Sequence, residues 1–202
     1  MVGVIKMPWK WPVLVNALEA EAFCNWKSEK LGKPVRTIAH EEYFQMRSIA
    51  ENNLANANLQ FFGSPNPVDS DQFCGLVGQN KVHDICGNVW QHSCSVLTVM
   101  KGFKTHAVYD DFTLPTIDGC HNHILGGSFM SLGNVSNLGS RYGFRRHFYQ
   151  FAGIRYVHSP TSYTGYHSDV PKIYDAVPMG KLISANYVEL DKPAHLASSK
   201  TE

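Results

Sequence analysis

The chain has 202 residues, 44% hydrophobic and only 17% charged, which supplies a core and excludes a disordered acidic or basic protein. Eighteen lysines and arginines oppose 17 aspartates and glutamates, so the formal charge is +1, with no electrostatic case for nonspecific binding to nucleic acid or an anionic membrane. Twelve per cent aromatic residues, 16 glycines and 10 prolines point to a loop-rich globule and against a helical bundle.

The segment Met1–Leu18 is apolar but broken by Lys6, Pro8, Lys10 and Pro12, so no secretory leader is expected there. No apolar run approaches the roughly 20 residues that a membrane span needs. The first predicted helix is Ala17–Lys30. Leu18, Ala22, Phe23 and Trp26 recur on it at helical spacing, Asn16 and Glu19 are placed as a capping box, and Gly32 with Pro34 stops it. The second is Ala39–Asn52, carrying Tyr43, Phe44, Met46, Arg47 and Ile49. Beyond residue 53 the helical period disappears. Short apolar stretches alternate with turn signals such as Ser64-Pro65-Asn66-Pro67, Gly87-Asn88, Asp118-Gly119 and Gly126-Gly127. Strands are expected at 82–85, 96–100, 124–130 and 151–157. The fold class is therefore α+β, two N-terminal helices followed by a twisted, irregular antiparallel β region with many loops. A composition change near Thr161 divides the chain into a domain over 1–160 and a weakly ordered tail over 161–202.

The five cysteines (Cys24, Cys74, Cys86, Cys94 and Cys120) are odd in number and include no Cys-x-x-Cys pair. Reduced thiols in a cytoplasmic protein are expected, with Cys24 and Cys86 as small core residues. Asp84 and Gln91 flank the turn Gly87-Asn88 seven residues apart. Their oxygens, with turn carbonyls, can wrap one hard cation such as calcium, or the segment is simply a tight turn before a buried tryptophan. Arg141-Tyr142-Gly143-Phe144-Arg145-Arg146-His147-Phe148-Tyr149 sets three arginines among four rings. That suits an amino-acid substrate, and it equally suits a surface strand with solvated arginines. In Tyr109-Asp110-Asp111-Phe112 the tyrosine can donate a proton, or the aspartates can turn the chain. Gly126-Gly127 implies a bulge or a close backbone approach. His121 and His123 share one strand face without a carboxylate at metal-ligand spacing, and read as a solvated turn.

Five stretches in order resemble the formylglycine-generating-enzyme (sulfatase-modifying-factor) domain, a C-type-lectin-like fold. They are Pro12 to Trp26, Arg36 to Tyr43, Gly87-Asn88-Val89-Trp90, Gly126-Gly127-Ser128-Phe129 and Phe151-Ala152-Gly153-Ile154-Arg155. Gly87 to Gln91, Val108 to Phe112 and Arg145 to Gln150 look like the ovothiol-synthase branch, the 5-histidylcysteine sulfoxide synthases. The resemblance implies chemistry in which a non-haem Fe(II) and oxygen join cysteine sulfur to the histidine ring. It makes Tyr109 the active-site tyrosine, Tyr142, Phe144, Arg145 and Arg146 the contacts to the substrates cysteine and histidine, and Asp84 with Gln91 a structural Ca2+ site. There are departures. Ser131 and Ser136 stand where formylglycine-generating enzymes have copper-binding cysteines, and Arg36-Thr37-Ile38-Ala39-His40 replaces an Arg-Leu-Pro-Thr-Glu stretch. The branch's His-x-x-x-His-x-Glu iron motif has no match, so iron is expected from a helical domain on another segment and the chain alone is expected to be inactive. The alternative expectation is a noncatalytic lectin-like binding module.

Overall fold

Asn16 opens the first helix, α1 (Ala17–Leu31), through the reciprocal cap that its sequence spells. Its side-chain oxygen accepts from the Glu19 amide and the Glu19 carboxylate accepts from the Asn16 amide, both at 2.9 Å. The helix stops at Gly32, which takes the left-handed φ of 60°. These features come from a computed structural model that describes residues 3–50, 57–60, 64–68, 74–76, 82–99 and 103–159. The tail expected over 161–202 and the end of the second helix expected at Asn52 lie outside the described residues.

The face that α1 buries differs from the expected one. Ala17, Ala20 and Cys24 are buried, whereas Leu18 and Trp26 are about half exposed. Small side chains let the helix axis approach strands β1 (Val35–Thr37) and β4 (Trp90–Val96) closely, which larger residues would prevent. The second helix, α2 (His40–Ile49), has Ala39 at its N-cap and so lacks a capping side chain. Glu42 substitutes for it: its carboxylate accepts the Ala39 amide at 2.9 Å and both terminal nitrogens of Arg36 at 2.7 Å. The unusual Arg36–His40 stretch is thus tied by an ion pair across the turn.

Among the described residues the β region has three sheets. Strands β2 (Cys74–Leu76) and β3 (Val82–His83) form one antiparallel pair, and β1, just after α1, pairs antiparallel with β8 (Tyr156–His158) to form another. The main sheet runs β6 (Tyr142–Arg145), β5 (His121–Leu125), β4, β7 (Ala152–Gly153), antiparallel except that β7 lies parallel to β4. One further helical turn, α3 (Asp110–Thr113), runs into a 3-10 turn at Leu114–Thr116. Ile38, Tyr43, Ile85 and Leu125 form the core between α2 and the sheet.

The strand expected at 151–157 divides into β7 and β8, which belong to different sheets, and two other expected strands are displaced. The apolar run at 96–100 marks only the end of β4, whose body is the polar Gln91-His92-Ser93-Cys94-Ser95. That strand is recognisable only through partners far away in sequence. Gln91 donates to the Ile85 carbonyl, His92 contacts the Val15 carbonyl, and Ser95 accepts the His40 amide. The strand expected at 124–130 ends at Leu125, because Gly126 and Gly127 have φ of 92° and 78°. A Cβ on Gly127 would lie 1.9 Å from the Ser136 hydroxyl, so the glycine pair serves a close approach.

Candidate functional site

A cavity of about 510 Å³ opens along the edge strand β6, over the chain leaving β4 and against α3. Tyr142 and Phe144 of β6 line it together with Phe103, Phe112 and Leu97. Gly143 between them is needed for packing, since a Cβ there would lie 2.4 Å from Leu97 Cδ2. Tyr142 also stands edge-on to Trp90, with centroids 5.5 Å apart. Among the described residues lining the cavity, Arg141 carries the only charge.

Arg141 is held from behind. Its Nη1 donates to His40 Nε2 at 2.7 Å, and its guanidinium lies 4.8 Å from the centroid of the Phe44 ring. Because arginine only donates, His40 Nε2 must carry the lone pair and the ring proton sits on Nδ1. The His40 ring stacks on His123, with centroids 4.3 Å apart and planes within 17°. Burial, with Arg141 nearby, pushes the His40 imidazole down to about 4. Burial, with His40 and Arg141 nearby, pushes His123 down to about 3. Both rings are neutral near pH 7.

The expected substrate residues divide over the surface. Tyr142 and Phe144 reach the cavity, but Arg145 is exposed beside the Phe148 ring and Arg146 pairs with Glu21. The Arg146 carbonyl accepts the first amides of α1, and its side chain lines a second cavity of about 380 Å³ with Cys24, Cys94 and His92. Burial raises both thiols to about 11, so neither is a thiolate at neutral pH. Tyr109 precedes α3, is 61% exposed and faces the His106 ring. It stands beside the cavity wall formed by Phe112 and Thr113, outside the lining.

Asp84 and Gln91 do meet, at a third cavity of about 300 Å³. The Asp84 carboxylate accepts from the side-chain amides of Asn66 and Asn88. Gln91 Oε1 accepts from Arg155 Nε, and the same arginine donates to the Asp84 carbonyl at 3.0 Å. Every side-chain oxygen of the pair thus faces an N–H donor, the Asp84 carboxylate from two asparagine amides and Gln91 Oε1 from Arg155, so these acceptors are satisfied without a cation. Burial raises the Asp84 carboxyl, against the pull of the Asn66 and Asn88 amides. For iron, no three His, Cys, Asp or Glu side chains converge among the described residues.

The residues that sequence reasoning missed are His40, His123 and the cavity role of Arg141. His40 and His123 lie 83 positions apart and meet only because α2 packs over β5, so no local pattern announces them. His121 and His123, read as a solvated turn, are both buried in β5, with His121 held by Asp118 at 2.7 Å.

The chain has the fold of the formylglycine-generating-enzyme-like, C-type-lectin-like domains, as the order of its motifs implied. Treponema denticola variable protein 1 superposes with a TM-score of 0.56 at 16% identity, covering 76% of this chain and 74% of that one. CarF superposes at 0.51 and 19% identity, covering 77% and 70%. In sequence the chain is similar to two fungal proteins named Ergothioneine biosynthesis protein 1. The one from Schizosaccharomyces pombe is 36% identical over 81 residues, 40% of this chain and 10% of the relative. The one from Neurospora crassa is 30% identical over 103 residues, 50% and 11% respectively. The matched stretches thus span about a tenth of the length of these relatives. No protein-family model matches the chain. Among the described residues, no helix is long and apolar enough to cross a membrane.

Proposed function

We propose that this chain is a substrate-binding domain of sulfoxide-synthase type, which holds histidine and cysteine for oxidative C–S bond formation. The observation that carries the reading is the cavity at β6, where aromatic side chains surround a single guanidinium, in a chain similar to Ergothioneine biosynthesis protein 1. An amino acid with a flat ring matches such walls, because rings pack on Tyr142 and Phe144 while the arginine meets the carboxylate. The ovothiol-type assignment rests more narrowly, on the Val108–Phe112 and Arg145–Gln150 motifs.

Iron, when bound, would supply the oxygen chemistry that links sulfur to the imidazole ring. Its ligands would come from outside the described residues, on a helical domain that meets this one. Tyr109, exposed and one turn of chain before the cavity-lining Thr113, would act at the boundary with such a partner, where its phenol would hold or deliver a proton. The chain by itself binds substrate without turning it over.

Calorimetric titration with L-histidine and L-cysteine, paired with incubation in Fe(II) and oxygen and mass spectrometry for sulfoxide, tests both halves. Binding of L-histidine without product supports the proposal. Sulfoxide formed by the chain alone overturns the division of labour. Failure to bind either amino acid overturns the substrate role and favours a lectin-like module for another ligand.

A further inference from the structure

We propose that Arg141, positioned by its hydrogen bond to the stacked His40–His123 pair, is the carboxylate anchor of the β6 cavity and selects flat-ringed carboxylates over the same rings lacking the carboxylate. This deepens the substrate-binding reading above and rests on it only for the identity of the ring.

Arg141 forms no ion pair among the described residues, whereas Arg36 and Arg146 are each matched by a glutamate. Its direct partners are a neutral imidazole and the face of Phe44, and the Glu41 carboxylate acts on it only through space, so its guanidinium is partly buried without a contacting carboxylate. Burial pulls its proton affinity below the ordinary arginine value, against the opposing attraction of Glu41. A guanidinium has five N–H donors in a fixed fork, and one fixed against His40 leaves donors for a carboxylate. One positive charge matches one carboxylate, while a phosphate dianion would bring excess charge among Phe103, Phe112 and Phe144.

The two histidines fix where the fork points. His123 is fully buried in β5, its ring supports His40, and the His40 backbone amide donates to Ser95 Oγ at 3.0 Å. The acceptor at His40 Nε2 therefore has a defined position and orientation. Arg141 contacts the ligand, whereas His40 and His123 are positioning residues.

The test measures dissociation constants for four probes: L-histidine, 3-(imidazol-4-yl)propionate, 3-phenylpropionate and histamine. For the unaltered chain, the imidazole carboxylates bind at least about tenfold more tightly than histamine, in line with a charge-assisted bidentate contact. Arg141→Gln brings that ratio close to one. His40→Gln, which keeps an acceptor near the Nε2 position, preserves discrimination better than His40→Leu, compared at matched folding by thermal melts. If 3-phenylpropionate binds through Arg141 and L-histidine does not, the anchor stands and the histidine reading falls. If L-histidine binds and Arg141→Gln leaves its preference over histamine intact, the anchor falls while the substrate-binding reading stands. If no carboxylate binds, the anchor is overturned.

Discussion

His40 and His123, from α2 and β5, stack face to face with ring centroids 4.3 Å apart, beneath an arginine that donates to His40. Two imidazoles so placed cannot both take up protons without repelling each other and Arg141. Their native values, about 4 and about 3, lie below the ordinary histidine value of about 6.5, so the unfolded chain takes up protons that the folded chain refuses. Their contribution to stability is whole above pH 6.5 and declines as pH falls toward 4 and then 3. Asp84, raised by burial, works in the opposite direction and offsets part of the decline. Chemical denaturation between pH 7.5 and 4.5 should therefore show falling stability, with a shallower fall in His40→Gln. Equal slopes for the two proteins would contradict the assignment of neutral rings.

Gly127 and Gly32 both take positive φ, but only Gly127 faces an obstacle, the Ser136 hydroxyl. Gly127→Ala should cost about 3 kcal/mol or more, through overpacking added to backbone strain. Gly32→Ala, with nothing within 4 Å, should cost about 1 kcal/mol. Urea unfolding of the two variants decides whether the Gly126-Gly127 pair exists for close approach.

The carboxylate of Glu42 serves the Arg36 guanidinium and the Ala39 amide together. Glu42→Ala should destabilise by about 1–2 kcal/mol, the range for losing an N-terminal cap with a partly exposed ion pair. Arg36 holds the Glu42 carboxyl below its ordinary value, so this contribution disappears as pH falls through that range. A loss of the same size at pH 7 and pH 3 would contradict the pairing.

Arg155 donates to Gln91 Oε1 and to the carbonyls of His83 and Asp84, while the Asp84 carboxylate accepts from Asn66 and Asn88, so the oxygens of the expected calcium site already have donors. A chelator should leave the melting temperature unchanged, and added calcium should not raise it. A drop on chelation would mean that calcium displaces these donors. Arg155→Ala should be strongly destabilising, by about 3 kcal/mol or more, because it strands buried acceptors on three residues.

Much of the fold was legible in short signals. The Asn16–Glu19 box, the stop at Gly32, the turn at Gly87-Asn88 and the glycine pair all act within a few residues, and the structure uses each of them. The ordered motifs carried the fold further than periodicity did. Periodicity misled where burial is polar, as in β4, whose Gln91, His92 and Ser95 are satisfied by residues as distant as Val15 and His40. It misled again on α1, where small residues form the buried face. In the site, Tyr142 and Phe144 were identifiable as ring residues near arginines. Which arginine faces the cavity depends on tertiary placement, because Arg145 and Arg146 turn to Phe148 and Glu21.

If the β6 cavity binds an amino acid with a flat ring, its lining must respond to that ligand. Backbone amide shifts recorded by NMR while L-histidine is added test it most directly. Saturable shifts should concentrate at Leu97, Thr113, Gly143 and Phe144, with little change at Cys24 or Asp84. Shifts centred on the Cys24–Cys94 cavity, or none at millimolar histidine, would contradict it.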